Sequence, residues 1–549
     1  MDADGLAAGV LALERAITKN ARLRARHPDD PTQFVASEID VDDKLEALQA
    51  LAASPELYPR FVELNGLRSV LGLLAHENAD VSISAVKLLA ELSDSDVLIA
   101  PETEAADAEA LVAELVKREG LELLVQNLQR LNEDEDEEST GVHLTLKICE
   151  NLLEFRPELA LTLTSKTHIL SFLLERVNAK AFDDNKFYAA EVLALLVQTD
   201  QENALRVGDE LTNFKGEAKS GFEQLLTACA RYRKADPAGV DEEECVENLF
   251  NALCAALLRP LNKQRFHDIE GPALLARTLK ERRFAAGAAL RATDFALQGH
   301  AGNSVQFVEQ GGLKVIFPPF MGRGLYKDKK AAGSAGRSGD ARRMAVEHAV
   351  SVVSNLVLAL SPAPPVEAEG GGGNGEDNEP PAKRAKVEEG TAPVENPAHD
   401  VAIFRLVHKF MEKNFEKVDR LCELFFKAEA QLKETERRLA RSLEQGLEDE
   451  EGAESERLAG GLGQMQQLSV VLGAVYVRSS SCRRQIQAKF HQEQRPLGMV
   501  GDVLEHYAAQ LAEAAATDPS AGANAKGDPE AEAAAATRRK LLAWASVLG

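Results

Sequence analysis

The chain has 549 residues, with 88 Asp and Glu against 63 Lys and Arg and a formal charge of −25. That balance argues against a nucleic-acid scaffold, since phosphate binding needs a basic surface, and favours partners that are neutral or basic. Hydrophobic residues make up 45% but aromatics only 5%, with a single Trp, a bias towards helices over sheets.

In chain order, residues 6–24 and 42–53 read as amphipathic helices, and together residues 1–60 form an N-terminal cap. Two phrases then alternate. The first is a Gly ahead of a Leu-rich helix: Asn65-Gly66-Leu67, Glu119-Gly120-Leu121, Glu270-Gly271 and Gly311-Gly312-Leu313. The second is a longer amphipathic helix, read at 80–94, 141–155, 185–199, 243–257, 284–298 and 342–356, with offsets of 61, 44, 58, 41 and 58 residues. The shorter offsets match the roughly 40–47 residues of armadillo and HEAT units. The longer ones carry apparent insertions at 131–140, 234–244 and 321–343. One such unit cannot bury its apolar stripe alone, whereas stacked neighbours make a continuous core with a concave face. The Gly suits a helix end that turns through the left-handed region. The expected fold is all-α: an armadillo/HEAT-type right-handed superhelical solenoid of about six units over 61–360, with an N-terminal cap and a C-terminal helical region.

Residues 361–400 form an acidic, Gly-rich linker expected to be disordered. Helices resume over 401–443, 454–492, 497–516 and 537–547, with a low-complexity insert at 512–536. No apolar run reaches the roughly 20 residues of a membrane span, and the acidic start is not a secretory signal, so an intracellular chain is expected. The six cysteines show no CxxC pairing and read as buried, reduced thiols.

Two features carry function. In the linker, Lys383, Arg384 and Lys386 form a K-R-x-K cluster that resembles a nuclear localisation signal, presenting cations to an import receptor. On the second-phrase helices, non-core positions carry Glu91, Glu150, Asn151, Glu191, Glu247, Asn248, Asn251, Asp294 and Asn355. Carboxylates select Lys and Arg, and amides bond a peptide backbone, so this row suits an extended basic peptide. The basic loop 321–343, with Arg323, Lys327, Lys329, Lys330 and Arg337, lacks stacking aromatics apart from Tyr326 and reads as a solvated insertion. His27, His76, His143, His168 and His267 have no catalytic partner at useful spacing. HExxH, GxSxG and GxxxxGK[ST] are absent, so neither enzyme activity, cofactor nor metal is expected.

The strings HPDDPTQF, LYPRFVELNGLRSVLGLLAHENADVSI, EFRPEL, FEKVDRLCELFFK and VLEHYAAQL resemble the beta-catenin-like protein 1 family over roughly residues 8–547, with gaps at the insertions. The resemblance implies a non-catalytic nuclear armadillo protein of the spliceosome's Prp-nineteen-associated complex. Such a protein binds basic localisation signals of splicing factors, a Myb-like factor among them, and self-associates as a homodimer or a larger assembly. No membrane or direct nucleic-acid partner is expected. This chain departs from the family by starting almost at the cap helix, without a basic N-terminal extension, and by its linker cluster and Ala-rich tail at 512–536. A second reading is an importin-alpha-like transport adaptor, which uses the same groove physics but needs a basic carrier-binding segment at its start.

Overall fold

The structure is a computed structural model that describes residues 1–101, 103–212, 217–327, 332–333, 339–362, 397–444, 450–517 and 529–549. It forms two compact units, Met1–Ile269 and Glu270–Gly549.

The first unit opens with two helices, Ala3–Arg26 and Val35–Leu48. Asp2 caps the first by accepting from Gly5 N–H at 2.8 Å, and Leu6, Val10, Leu13 and Ala16 form its buried stripe. A buried polar network ties this pair to the first repeat. Asn20 donates to Ser37 at 2.9 Å and accepts from His76 Nε2 at 3.1 Å, while Asn78 donates to Glu38 at 3.0 Å. Arg24 bridges Glu38 and Glu77.

Three-helix repeats follow. The sets are Tyr58–Glu63, Gly66–Leu73 and Ala79–Leu92, then Ala105–Lys117, Gly120–Leu128 and Asp136–Phe155. Next come Leu159–Lys166, Ile169–Val177 and Asp184–Thr199, then Gln201–Gly208, Gly221–Arg231 and Val240–Ala256. Pro260–Asp268 closes this unit. A short antiparallel hairpin, Glu210–Thr212 with Ala218–Ser220, interrupts the fourth set in register Glu210↔Ser220.

The second unit continues the pattern with Gly271–Glu281 and Ala286–Leu297, then Ala301–Glu309, Gly312–Phe320 and Gly339–Leu360. Its C-terminal part is Pro397–Glu444, Glu450–Arg457, Gly463–Arg478, Ser480–Gln492, Gly498–Thr517 and Pro529–Leu548. The architecture is all-α and of the expected armadillo type.

In the sets that begin at Tyr58, Ala105 and Ala301 the Gly-Leu phrase lies between the first and second helices, and at all four places the left-handed residue is the one before the helix-opening Gly. Asn65, Glu119 and Glu270 have φ of 57° and Gly311 has 85°. The following Gly is required by close approach instead. A Cβ on Gly66 would lie 2.1 Å from the Phe61 ring, and one on Gly312 2.3 Å from that of Phe307. A second repeat device was not foreseen. Asn203, Asn262 and Asn303 are fully buried at the third position of their helices. They donate to the carbonyls of Leu196, Ala256 and Ala296 at 3.0, 2.9 and 2.9 Å, satisfying acceptors that the preceding helix end leaves open.

Several boundaries differ from expectation. The acidic runs read as insertions at 131–140 and 234–244 become helix in their second halves: Asp136, Glu137 and Glu138, and Asp241, Glu242 and Glu243, fill first turns, where the helix dipole favours carboxylates. The helix expected over 401–443 breaks at Glu412–Phe415, where Lys413, Asn414 and Phe415 take φ of 53°, 53° and 65°. The break seats Phe410 edge-on to Phe317 at 5.4 Å. The helix expected over 454–492 divides at a wide turn, Leu458–Leu462, with Gly461 at φ 127°, and again at Ser479, which caps the next helix by accepting from Cys482 N–H.

Contrary to expectation, one helix, Asp340–Leu360, is long and apolar enough to cross a membrane by composition. It reads as a core helix: Ala349, Val350, Val352, Val353 and Leu356 are fully buried against its neighbours. All six cysteines are buried, and none of them forms a disulfide. Most of the 361–400 linker, including Lys383, Arg384 and Lys386, lies outside the described residues, as do parts of the 321–343 loop and of the 512–536 tail.

Candidate peptide-binding groove

The predicted row of nine residues divides between the two units. In the first, the third helices of successive repeats, Ala79–Leu92, Asp136–Phe155, Asp184–Thr199 and Val240–Ala256, pack side by side. Their apolar stripes face the core. Of the predicted residues on these helices, Glu91 is exposed, and Glu150, Glu191, Glu247, Asn248 and Asn251 are half-buried. Asn151 is deeper, at 5% exposure, and its Nδ2 finds no hydrogen-bond acceptor among the described residues.

Electrostatics link this row from helix to helix. Burial, aided by Glu191 and Glu154, pushes the Glu150 carboxyl up to about 7. Burial and then Glu244 raise that of Glu191. A nearby cation is already engaged: Lys147 donates to Asp94 at 2.7 Å, and this bond above all raises the Lys147 ammonium, with Glu91 adding to it. The Tyr188 hydroxyl is raised by burial and by Glu150 and Glu191. His143 packs edge-on to Tyr188 at 4.6 Å, and burial lowers its pKa, so it adds no positive charge near neutrality. The result is a negative strip with apolar and amide groups between the carboxylates.

Beside it opens a cleft of about 800 Å³ lined by His143, Glu133, Asp134, Asp183, Asp184 and Arg176, among others. Arg176 is 9% exposed and held by Glu133 at 2.8 Å and Asp183 at 2.5 Å, which fixes one wall.

Asp294 and Asn355 lie in the second unit and engage each other. Asn355 Nδ2 donates to Asp294 Oδ1 at 2.9 Å, Ser351 Oγ donates to the same oxygen at 2.6 Å, and His348 Nδ1 lies 3.1 Å from Oδ2. Their polar capacity is spent bracing Ala286–Leu297 against Gly339–Leu360. The sequence row omitted Lys147, Glu154, Tyr188 and Glu244. Helical spacing could have found them, since Lys147 and Glu154 lie one turn either side of Glu150, and Glu244 one turn before Glu247.

Comparison with known proteins gives the family. A family described as "Catenin-beta-like, Arm-motif containing nuclear" matches residues 1–364 and 395–505. The chain belongs to this catenin-beta-like family. Human Beta-catenin-like protein 1 is 36% identical over 421 residues, covering 76% of this chain and 64% of the human protein. A Schizosaccharomyces pombe Beta-catenin-like protein 1 homolog is 27% identical over 511 residues, covering 92% of this chain and 78% of its own length. The match thus spans less than two thirds of the human relative's length. An engineered protein of known crystal structure aligns over 91% of this chain and 96% of its own at 12% identity and a TM-score of 0.43. The family is described as nuclear and armadillo-containing, which agrees with the helical repeats and with a nuclear location for this member.

Proposed function

We propose that this catenin-beta-like chain is a non-catalytic nuclear scaffold of the splicing machinery. Its first unit holds Lys- and Arg-rich segments of partner proteins along the carboxylates of its third helices. One observation carries the reading: the Glu150 and Glu191 carboxyls crowd on adjacent helices, both raised by burial and like charge, while Lys147 is committed to Asp94. A peptide ammonium or guanidinium laid between them relieves that repulsion. Half-buried Asn248 supplies an amide for a peptide backbone of any sequence. Splicing factors are the proposed source of the peptides, by the family resemblance, and the linker cluster Lys383, Arg384 and Lys386 is proposed as the chain's own import signal.

The test is a pull-down from nuclear extract with the full chain and with the Glu150→Gln/Glu191→Gln variant, read by mass spectrometry. The wild type is expected to enrich splicing factors bearing basic segments, and the variant to lose them. Equal recovery by both, or no enrichment of splicing factors, overturns the proposal.

A further inference from the structure

The second unit carries a cleft of opposite sign. It has a volume of about 690 Å³ and is built from two helices and the start of the basic loop. Arg277 and Lys280 project from Gly271–Glu281, one turn apart, and Lys314 from Gly312–Phe320. Arg282 and Arg323 complete five cations, and all five are exposed. No Asp or Glu side chain lines the cleft among the described residues, in a chain whose formal charge is −25.

This concentration of charge is held in place. Arg282 ends its helix at φ 55°, and its guanidinium donates to the carbonyls of Gly324 and Tyr326 at 2.8 and 2.9 Å. Its own carbonyl accepts from Lys327 N–H at 2.8 Å. The loop is thereby pinned at the cleft edge, where Arg323 stands with only a 3.6 Å approach to Glu416. Arg277, Lys280 and Lys314 make no ion pair among the described residues. Holding Arg277, Lys280 and Lys314 together without an ion pair is unfavourable, and an anionic ligand reverses that term.

The walls narrow the choice of anion. Leu279, Val315, Pro318, Pro319 and Leu325 give the cleft an apolar side, and among the described residues no aromatic ring lines it. Single-stranded nucleic acid binds by stacking bases on aromatic side chains, and this cleft offers no such platform. An acidic chain segment with interleaved apolar side chains matches both the spread cations and the apolar walls. We infer that this cleft is a docking site for an acidic, apolar-spaced peptide segment of a partner protein, distinct from the negative strip of the first unit.

The probe is a fluorescein-labelled peptide of repeating Glu-Glu-Leu, titrated with the full chain by anisotropy. A Gln-Gln-Leu peptide serves as the neutral comparison. The Glu peptide is expected to bind, to weaken as salt rises, and to lose about tenfold in affinity in Arg277→Glu/Lys280→Glu. Both residues are exposed, so that variant is expected to melt like the wild type. Lys427→Glu, an exposed reversal elsewhere in the unit, is expected to change nothing. Equal binding of the Gln peptide overturns the inference, as does an equal loss in Lys427→Glu. So does an oligouridylate that binds more tightly than the Glu peptide with the same dependence on Arg277 and Lys280.

Discussion

The raised carboxyl of Glu150 makes the proposed peptide binding depend on pH. In the free chain this group titrates at about 7, against an ordinary value of 4.5, because burial, Glu191 and Glu154 all disfavour its ionised form. The sign follows from linkage. An acid with a raised pKa holds its proton as pH falls below about 7, and a peptide cation binds the ionised form, so binding must first remove that proton. If the bound peptide returns the carboxyl to its ordinary range, affinity is about tenfold higher near pH 8 than near pH 6. Glu191 is raised in the same direction and steepens the dependence. The Lys and Arg of the peptide do not titrate there, and burial lowers the His143 pKa, which moves its titration towards the acid end of the range. The assay is anisotropy of a His-free, Lys/Arg-rich peptide across this range, with Glu150→Gln alongside. The variant is expected to bind more weakly at pH 8 with a shallower profile. An affinity that is flat with pH in the wild type, or that rises as pH falls, refutes the reasoning.

Other expectations concern the scaffold. Gly66 and Gly72 occupy the same helix, and the same substitution should act in opposite directions. Gly66→Ala drives a methyl into the buried Phe61 ring and should lower the urea midpoint of the first unit by about 1–3 kcal/mol equivalent. Gly72→Ala meets nothing within 4 Å and should raise it by up to about 1 kcal/mol. Two changes of the same sign would show that close approach is not what fixes Gly66. The six cysteines are buried, and burial pushes the Cys149 and Cys245 thiols up to about 12. A thiol reagent near pH 8 should therefore label the native chain slowly and all six sites in denaturant; rapid native labelling contradicts that burial.

Much of the fold was legible because a repeat writes the same physics several times. The third helices were placed to within a few residues at 80–94 and 185–199, since their apolar period is unbroken. Where expectation missed, a local rule was outweighed by packing. The left-handed residue precedes the Gly because Phe61 and Phe307 crowd the Gly itself. The break at Glu412–Phe415 is invisible in the pattern, because Phe410 and Val418 keep the stripe going on both sides of it. The acidic run at 133–138 looks like a loop by composition and is half a helix start by electrostatics. In the candidate groove, Asp294 and Asn355 have the spacing of their counterparts in the first unit. Only the neighbouring helix, with His348 and Ser351, shows that they are already engaged. Lys147 escaped notice because a cation was not sought in an acidic row.

The most direct measurement is photo-crosslinking of the full chain with a diazirine-bearing Lys/Arg-rich peptide, mapped by mass spectrometry. The account predicts crosslinks on the third helices of the first unit, around Lys147–Glu154, Tyr188–Glu191 and Glu244–Asn251, that fade in Glu150→Gln/Glu191→Gln. Crosslinks concentrated on the second helices, Gly120–Leu128 and Ile169–Val177, or unchanged in that variant, would contradict it.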